Sequence, residues 1–231
     1  MTNIDICYLC GSPLVRDAEV IDDDHVPPKQ IYPKNFRKAH NANKLLTLPV
    51  HRRCNKSYQK DEDYFVNSIG ILAQGSRAGD GIWKDIVQQY ERPEGKRLGQ
   101  MIVKEFDKRP SGLYLPKGLI AKRFNPRRMW RVVWKITRGL FFKEYGRFLP
   151  GNTSRLYEIM YADNTPGSPF DAVIGRPSRG QYPVVFDYKY LAVPEVHNFH
   201  LWAMLFWDKI IKLVAFHDPS CGCEHCSATG A

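Results

Sequence analysis

The pattern of apolar residues in the first third of the chain predicts two short strands followed by a helix. Val20 and Ile21 indicate a strand that runs into an acidic stretch, and residues 45–50 indicate a second strand. After His51 a helix is predicted, because apolar residues recur there on one helical face (Phe65, Ile69, Leu72 and Ala73). Residues 28–44, between the strands, are polar and basic and indicate a loop.

Apolar residues at helical spacing continue after a predicted break at residues 75–81. They predict amphipathic helices around residues 83–90 and 98–106. Asn125 and Pro126 predict the start of a further helix, since asparagine is a favoured N-cap and proline suits the first helical position. This helix is expected to reach Gly139 or a little further.

The last part of the chain alternates polar with β-branched and aromatic residues, which predicts strands. Candidates lie at residues 156–161, 172–174 and 184–188 and within residues 201–216. The predicted fold class is therefore α+β, with a small module in residues 1–75 and a helical connector in residues 76–118. Residues 119–231 form a predicted α+β domain for which DNA targeting and oligomerisation are the two interpretations.

The charge of the chain favours a polyanionic partner. The formal net charge is +10 over 231 residues, which suits nucleic acid or an anionic surface. The most apolar stretch, residues 201–216, is interrupted by Asp208 and Lys209 and does not reach the length of a membrane span. The first residues lack the basic and apolar regions of a signal peptide. We therefore expect a cytoplasmic protein that binds nucleic acid and no membrane.

Two pairs of residues have the spacing of zinc knuckles. Cys7 and Cys10 form a C-x2-C pair, and His51 and Cys54 form an H-x2-C pair. Cysteines in a cytoplasmic protein are more often metal ligands or free thiols than disulfides. A Cys3His set is a complete tetrahedral zinc site without an open position. The sequence thus predicts structural zinc, and the alternative is four unrelated residues.

Three residues associated with these pairs predict phosphodiester hydrolysis. Asp24 and His25 lie between the pairs, and Asn55 directly follows Cys54. The imidazole of His25 can accept a proton from water near neutral pH. The oxygen atoms of Asp24 and Asn55 suit one Mg²⁺ or Mn²⁺ ion. The alternatives are a solvated acid, a surface histidine and a helix N-cap.

The order of these motifs resembles the HNH endonucleases, also called ββα-metal or His-Me finger nucleases. That family combines C-x2-C, a D-H dipeptide with a proline-containing turn, and a second knuckle followed by Asn or His; the matching stretch covers about residues 5–65. The resemblance implies a zinc-stapled ββα-metal module that cleaves DNA to 5′-phosphate and 3′-hydroxyl ends. His25 would be the general base, and Asp24 and Asn55 would bind the catalytic ion.

Three features of the resemblance concern single positions. His51 stands where cysteine is commoner, and an imidazole nitrogen can also ligate zinc. The middle asparagine of the family has no clear counterpart, and Asn43 is the nearest residue. The acidic residues at 61–63 follow the pattern of a bacterial subgroup, either as a solvated helix face or as extra metal ligands.

Basic residues near the predicted site and along the helix after Asn125 are candidate contacts to nucleic acid. Contacts to phosphate position a protein and carry no sequence information. The candidates beside the site are Lys29, Lys34, Arg37, Arg52 and Arg53, and those on the helix are Arg127, Arg131, Lys135 and Arg138. For the helix, a solvated face is the alternative interpretation.

Other functions stay open at this point. One is a zinc-knuckle nucleic-acid-binding protein without catalysis, and another is a nuclease activated by a partner in a phage-defence or mobile-element system. Assembly into a homo-oligomer is also open. Near the C-terminus, Cys221, Cys223 and Cys226 could bind a second metal with His225 or form an oxidisable tail.

Overall fold

The fold combines helices with antiparallel sheets, which confirms the predicted α+β class. The computed structural model describes residues 6–15, 21–40, 44–153, 171–193 and 199–218, and the backbone of residues 155–161. The strands are β1 (Ile21–His25), β2 (Thr47–His51), β3 (Phe106–Asp107), β4 (Ala121–Lys122), β5 (Arg155–Tyr161), β6 (Phe186–Val193), β7 (Phe199–Phe206) and β8 (Ile210–His217). The α-helices are α1 (Lys34–Ala39), α2 (Arg52–Lys56), α3 (Gln59–Gly70), α4 (Arg77–Tyr90), α5 (Pro93–Val103), α6 (Pro126–Tyr145) and α7 (Asp171–Ile174).

The two N-terminal strands form an antiparallel pair in which Asp24 lies opposite Leu48 and His25 opposite Thr47. The connection between them was predicted as a loop. It contains α1 and a 3-10 turn at Lys29–Ile31 instead. Ile31 is buried in the main core, and this apolar anchor orders a segment whose composition is otherwise polar and basic.

The break predicted at residues 75–81 is shorter than expected, because the preceding 3-10 turn ends at Ala73 and α4 already begins at Arg77. The side chain of Ser76 caps this helix by accepting a hydrogen bond from the Gly79 amide at 2.9 Å. Gly79 is inside the helix, and a Cβ atom there would lie 1.8 Å from the carbonyl oxygen of Ala73. This glycine therefore permits close packing and does not interrupt the helix.

Helix α6 begins where its capping residues predict. The side chain of Asn125 accepts a hydrogen bond from the Arg128 amide at 3.1 Å, and Pro126 occupies the first turn. The helix runs past Gly139 to Tyr145. Its last turns continue because Leu140, Phe141 and Phe142 are buried in the main core.

The C-terminal strands form an antiparallel sheet in the order β5-β8-β7-β6. Alternate residues of β7 and β8 face the main core, among them Trp202, Met204, Val214 and Phe216. The intervening residues form a second, smaller apolar cluster with Val173 of α7. The strand predicted at residues 172–174 is therefore wrong: this segment is a short helix that covers the second face of the sheet.

One main core extends from Cys7 to Phe216 and includes residues from both ends of the described chain. Polar contacts cross it as well: the Trp207 indole donates to the Ile31 carbonyl at 2.8 Å, and Ser76 donates to the Trp207 carbonyl at 2.6 Å. The predicted boundaries after residues 75 and 118 lie in connections between elements. Among the described residues, no helix has the length and apolar character needed to cross a membrane.

Candidate functional site

The structure brings Cys7, Cys10, His51 and Cys54 together into one cluster. One ligand atom from each residue lies within 4.8 Å of all the others. The first two residues come from the N-terminal knuckle, His51 ends β2, and Cys54 lies in α2. A Cys3His set of this kind could bind a metal ion, and thiolate and imidazole ligands favour zinc.

The knuckle that carries Cys7 and Cys10 is a tight hydrogen-bonded turn. The amides of Cys10 and Gly11 both donate to the Cys7 carbonyl, at 3.3 and 2.8 Å. Gly11 has a φ of +76°, and a Cβ atom there would lie 3.0 Å from the ring of Phe148. Only glycine meets both conditions without strain, so Gly11 sets the shape of the knuckle.

The imidazole of His51 is oriented for metal binding by a second contact. Its Nε2 atom lies 3.2 Å from the carbonyl oxygen of Pro13, which can only accept, so Nε2 carries the proton. Nδ1 is then free of a proton and faces the Cys10 sulfur at 3.4 Å. Ligating histidines commonly have this arrangement. Histidine at this position thus suits the cluster.

The thiols of the cluster ionise unequally when no cation lies among them. Burial, followed by the charges of Cys7 and Cys10, raises the pKa of Cys54 to about 12. Partial burial of Cys10 is outweighed by hydrogen bonds from Ser12 and Cys7, and its pKa is lowered to about 6. Three thiolates at this distance need a cation, and the residues present fit a zinc ion.

His25 lies at the end of β1 and is half-buried. Burial, followed by the charge of Lys29, lowers its pKa, and Arg37 acts in the same direction. The imidazole is therefore neutral at neutral pH, the form that accepts a proton. Asp24 and Asp23 act in the opposite direction, so His25 lies between basic and acidic side chains.

Asp24 faces the interior, away from solvent, with 4% of its surface exposed. One of its oxygens lies 2.8 Å from the Lys135 ammonium, and the other accepts a hydrogen bond from the Tyr8 hydroxyl. Lys135 also contacts Glu62, so one buried ammonium bridges two carboxylates. With both oxygens engaged and no solvent access, Asp24 in this arrangement does not fit a Mg²⁺ or Mn²⁺ ion.

Asn55 contacts Asp22 of β1, whereas the sequence predicted that it shares a metal ion with Asp24. Its amide nitrogen donates to the carboxylate of Asp22 at 3.0 Å. Asp22 and Asp24 are two residues apart on a strand and therefore share a face. Asp22 was missed by the sequence analysis, although this alternation could have identified it as a neighbour of Asp24.

The acidic residues at 61–63 are not a simple solvated face. Glu62 contacts Lys135, and Asp61 accepts from Arg128 at 2.7 Å and also from Arg131. Burial raises the pKa of Glu62, with Lys135 acting in the opposite direction. These carboxylates hold α3 to α6 and contact cationic side chains of that helix.

The basic candidates for nucleic-acid contacts divide into exposed and internal residues. Lys29, Lys34, Arg52, Arg53 and Arg127 are exposed, and Arg37 and Arg131 are half-buried. Lys135 and Arg138 are buried, so their prediction as nucleic-acid contacts is wrong. Arg138 donates to the Leu149 carbonyl at 2.8 Å and to the Leu9 carbonyl. The four basic candidates on α6 therefore do not form one exposed surface, because Lys135 and Arg138 face the N-terminal part of the fold.

Comparison with protein-family models, with curated proteins and with solved structures gives no match. The resemblance to HNH endonucleases therefore rests on the motifs in residues 5–65. Asn43 and the C-terminal group Cys221, Cys223, His225 and Cys226 lie outside the described residues.

Proposed function

We propose that the protein is an HNH-type endonuclease that hydrolyses DNA phosphodiester bonds. The observation that carries this proposal is the Cys/His cluster, which joins the N-terminal knuckle to the end of β2 and to α2, as the family resemblance implies. A structural zinc ion in the cluster would hold the N-terminal knuckle, the end of β2 and α2 in one unit. The exposed basic residues Lys29, Lys34, Arg52 and Arg53 would contact the DNA backbone.

In the proposed reaction, His25 accepts a proton from water. The water oxygen forms a bond to phosphorus while the bond from phosphorus to the 3′ oxygen breaks, and this oxygen leaves as a hydroxyl after taking up a proton. The products implied by the family resemblance are 5′-phosphate and 3′-hydroxyl ends. The basic residues beside His25 would offset charge on the phosphate.

The test is plasmid cleavage with Mg²⁺ or Mn²⁺, comparing the wild type with His25→Ala. Zinc content and melting temperature are matched beforehand. His40→Ala is the control, because His40 is an exposed histidine at the end of α1. Cleavage by the wild type and His40→Ala, with loss in His25→Ala, is expected. Equal cleavage by all three proteins would contradict the proposed role of His25.

A second candidate is favoured by the Lys135 contact with Asp24. The Lys135 ammonium forms an ion pair with the carboxylate of Asp24, which the family resemblance assigns to the divalent ion. The contact supports a nucleic-acid-binding protein without catalysis, or a nuclease that becomes active when a partner rearranges α6. Salt-sensitive DNA binding without cleavage by either the wild type or His25→Ala would support this candidate.

A further inference from the structure

A cleft of about 770 Å³ lies among α1, α3, α4 and α5. Its volume is in the range of roughly 300 to 1,000 Å³ that is common for small-molecule sites. None of the four Cys/His cluster residues lines it, and neither does His25. The cleft is therefore distinct from the Cys/His cluster and from His25, although it shares Lys34 and Arg37 with the basic residues near His25.

Part of the cleft lining is apolar. It includes Val66 of α3, Ile82 and Ile86 of α4, and Leu98 of α5. The first three side chains belong to the main core and are held in place by it. This surface suits a flat ring system that is removed from water on binding.

Another part of the cleft lining is basic. It includes Lys34, Arg37, Lys60, Arg92 and Arg97. None of these five forms an ion pair with any other residue that the structure describes. The Nε atom of Arg37 is also buried without a hydrogen-bond partner among those residues. Unpaired guanidinium groups in one cleft are suited to phosphate.

The acidic residues of the cleft are partly neutralised within the protein. Asp85 accepts a hydrogen bond from the Lys34 amide at 2.7 Å. Burial raises the pKa of Asp63, while a hydrogen bond from Gln30 acts in the opposite direction. Only Glu94 adds a third acid to the lining. The cleft therefore attracts anions.

We propose that this cleft binds a nucleotide, with its phosphate at Arg37 and Arg97 and its base against the apolar part of the lining. Neither half of the lining alone selects such a ligand: the basic residues would attract any anion, and the apolar residues any ring. The side-chain amide of Gln89 adds a donor and an acceptor for the polar edge of a base. The nucleotide can be free or part of a strand, because both present the same groups.

The experiment is isothermal titration of the full chain with adenosine monophosphate, adenosine and inorganic phosphate. The monophosphate is expected to bind at least about tenfold more tightly than either fragment, since only it engages both halves of the cleft. Arg37→Ala and Arg97→Ala should each weaken its binding about tenfold. Lys96→Ala is the matched control, because Lys96 is an exposed neighbour on α5 that does not line the cleft.

The apolar half is tested by Leu98→Ser. This variant should weaken binding of the monophosphate and leave binding of inorganic phosphate unchanged. Melting temperatures of all variants verify that the fold is retained. Competition by a short single-stranded oligonucleotide would assign the nucleotide to a strand, and its absence would assign a free nucleotide; both support the site.

Two results would overturn the proposal. One is adenosine monophosphate that binds no more tightly than inorganic phosphate, including the case of no binding at all. The other is a loss in Lys96→Ala as large as in Arg97→Ala, which would indicate general attraction by a basic surface. The cleft and His25 are tested separately, because no step of this experiment depends on DNA cleavage.

Discussion

Two buried lysines, one in α6 and one in the C-terminal sheet, have different surroundings. Lys135 of α6 is 1% exposed and contacts the carboxylates of Asp24 and Glu62. Lys212 of β8 is 0% exposed, and its ammonium has no hydrogen-bond partner among the described residues. Burial alone lowers the pKa of Lys212 to about 7. The first lysine is part of a polar network, whereas the second is packed in an apolar core.

The different surroundings of Lys135 and Lys212 indicate which interactions join α6 to the N-terminal elements and which join the C-terminal sheet to the core. An isolated buried charge is costly, and a buried ion pair is tolerated when each group keeps its partners. The N-terminal strands and α3 are therefore joined to α6 through charges that depend on one another. The C-terminal sheet packs on the same core largely through apolar side chains, with polar contacts such as that of Tyr188 with Glu144 at its edge, and Lys212 weakens the apolar part. Removing each lysine should have opposite effects on stability.

The largest expected effect is that of Lys135→Met. The substitution leaves Asp24 and Glu62 buried without their common cation, and a loss of about 3 to 5 kcal/mol in the free energy of unfolding is expected. Urea denaturation at neutral pH measures it. Adding Glu62→Gln should restore part of the loss, because one uncompensated carboxylate is removed. Unchanged stability in Lys135→Met would show that the ion pairs do not form.

Replacing the other lysine should stabilise the protein. Lys212→Met keeps a long flexible side chain of similar shape and removes the group that burial disfavours. A gain of about 2 kcal/mol or more in the free energy of unfolding is expected at pH 6, where the lysine is charged in both states. The same urea experiment applies. A loss of stability would mean that the ammonium has a partner outside the described residues.

The two lysines also differ in the pH dependence that they predict. In the unfolded chain Lys212 keeps its proton up to about pH 10, whereas in the folded protein its pKa is about 7. Between these values the unfolded state binds the additional proton, so the contribution of Lys212 to stability rises with pH across this window. Below a pH of about 7, Lys212 is charged in both states, and the full cost of burying its charge is present.

The measurement is the difference between the unfolding free energies of wild type and Lys212→Met from pH 6 to 10. Subtraction removes the contributions of other groups, and no charged side chain adds to the shift of Lys212. The difference should shrink as the pH rises. A difference that does not change with pH would contradict the lowered pKa.

The smallest effect is expected for Asn125→Ala, which serves as the reference for α6. The asparagine side chain caps the helix through the Arg128 amide, and removing such a cap costs about 1 kcal/mol. Thermal unfolding is sufficient to detect it. If Lys135→Met costs no more than this variant, the role of Lys135 is that of an ordinary residue in the helix.

Local signals in the sequence predicted the elements that depend on neighbouring residues. Asn125 and Pro126 predicted the start of α6, and the two knuckles predicted the cluster of Cys7, Cys10, His51 and Cys54. Both depend on spacings of a few residues. The strand predicted at residues 172–174 failed because a short apolar segment fits either a strand or a helix, and packing on the sheet decided.

The partners of the predicted catalytic residues were not predictable in the same way. Asp24 and Lys135 are 111 residues apart, and no periodicity relates them. A basic residue on a helix normally faces water, so Lys135 was assigned to a nucleic-acid surface. Only the packing of α6 against β1 and α3 shows that it faces inward.

The Lys135 bridge has a consequence for the order in which the chain folds during synthesis. Asp24 and Glu62 leave the ribosome 111 and 73 residues before the lysine that joins them. The residues of the Cys/His cluster are complete once Cys54 has emerged, whereas both carboxylates still lack their common partner at that point. Asp24 and Glu62 therefore acquire their common cation only after α6 has been synthesised, so this part of the fold is completed by a late segment of the chain.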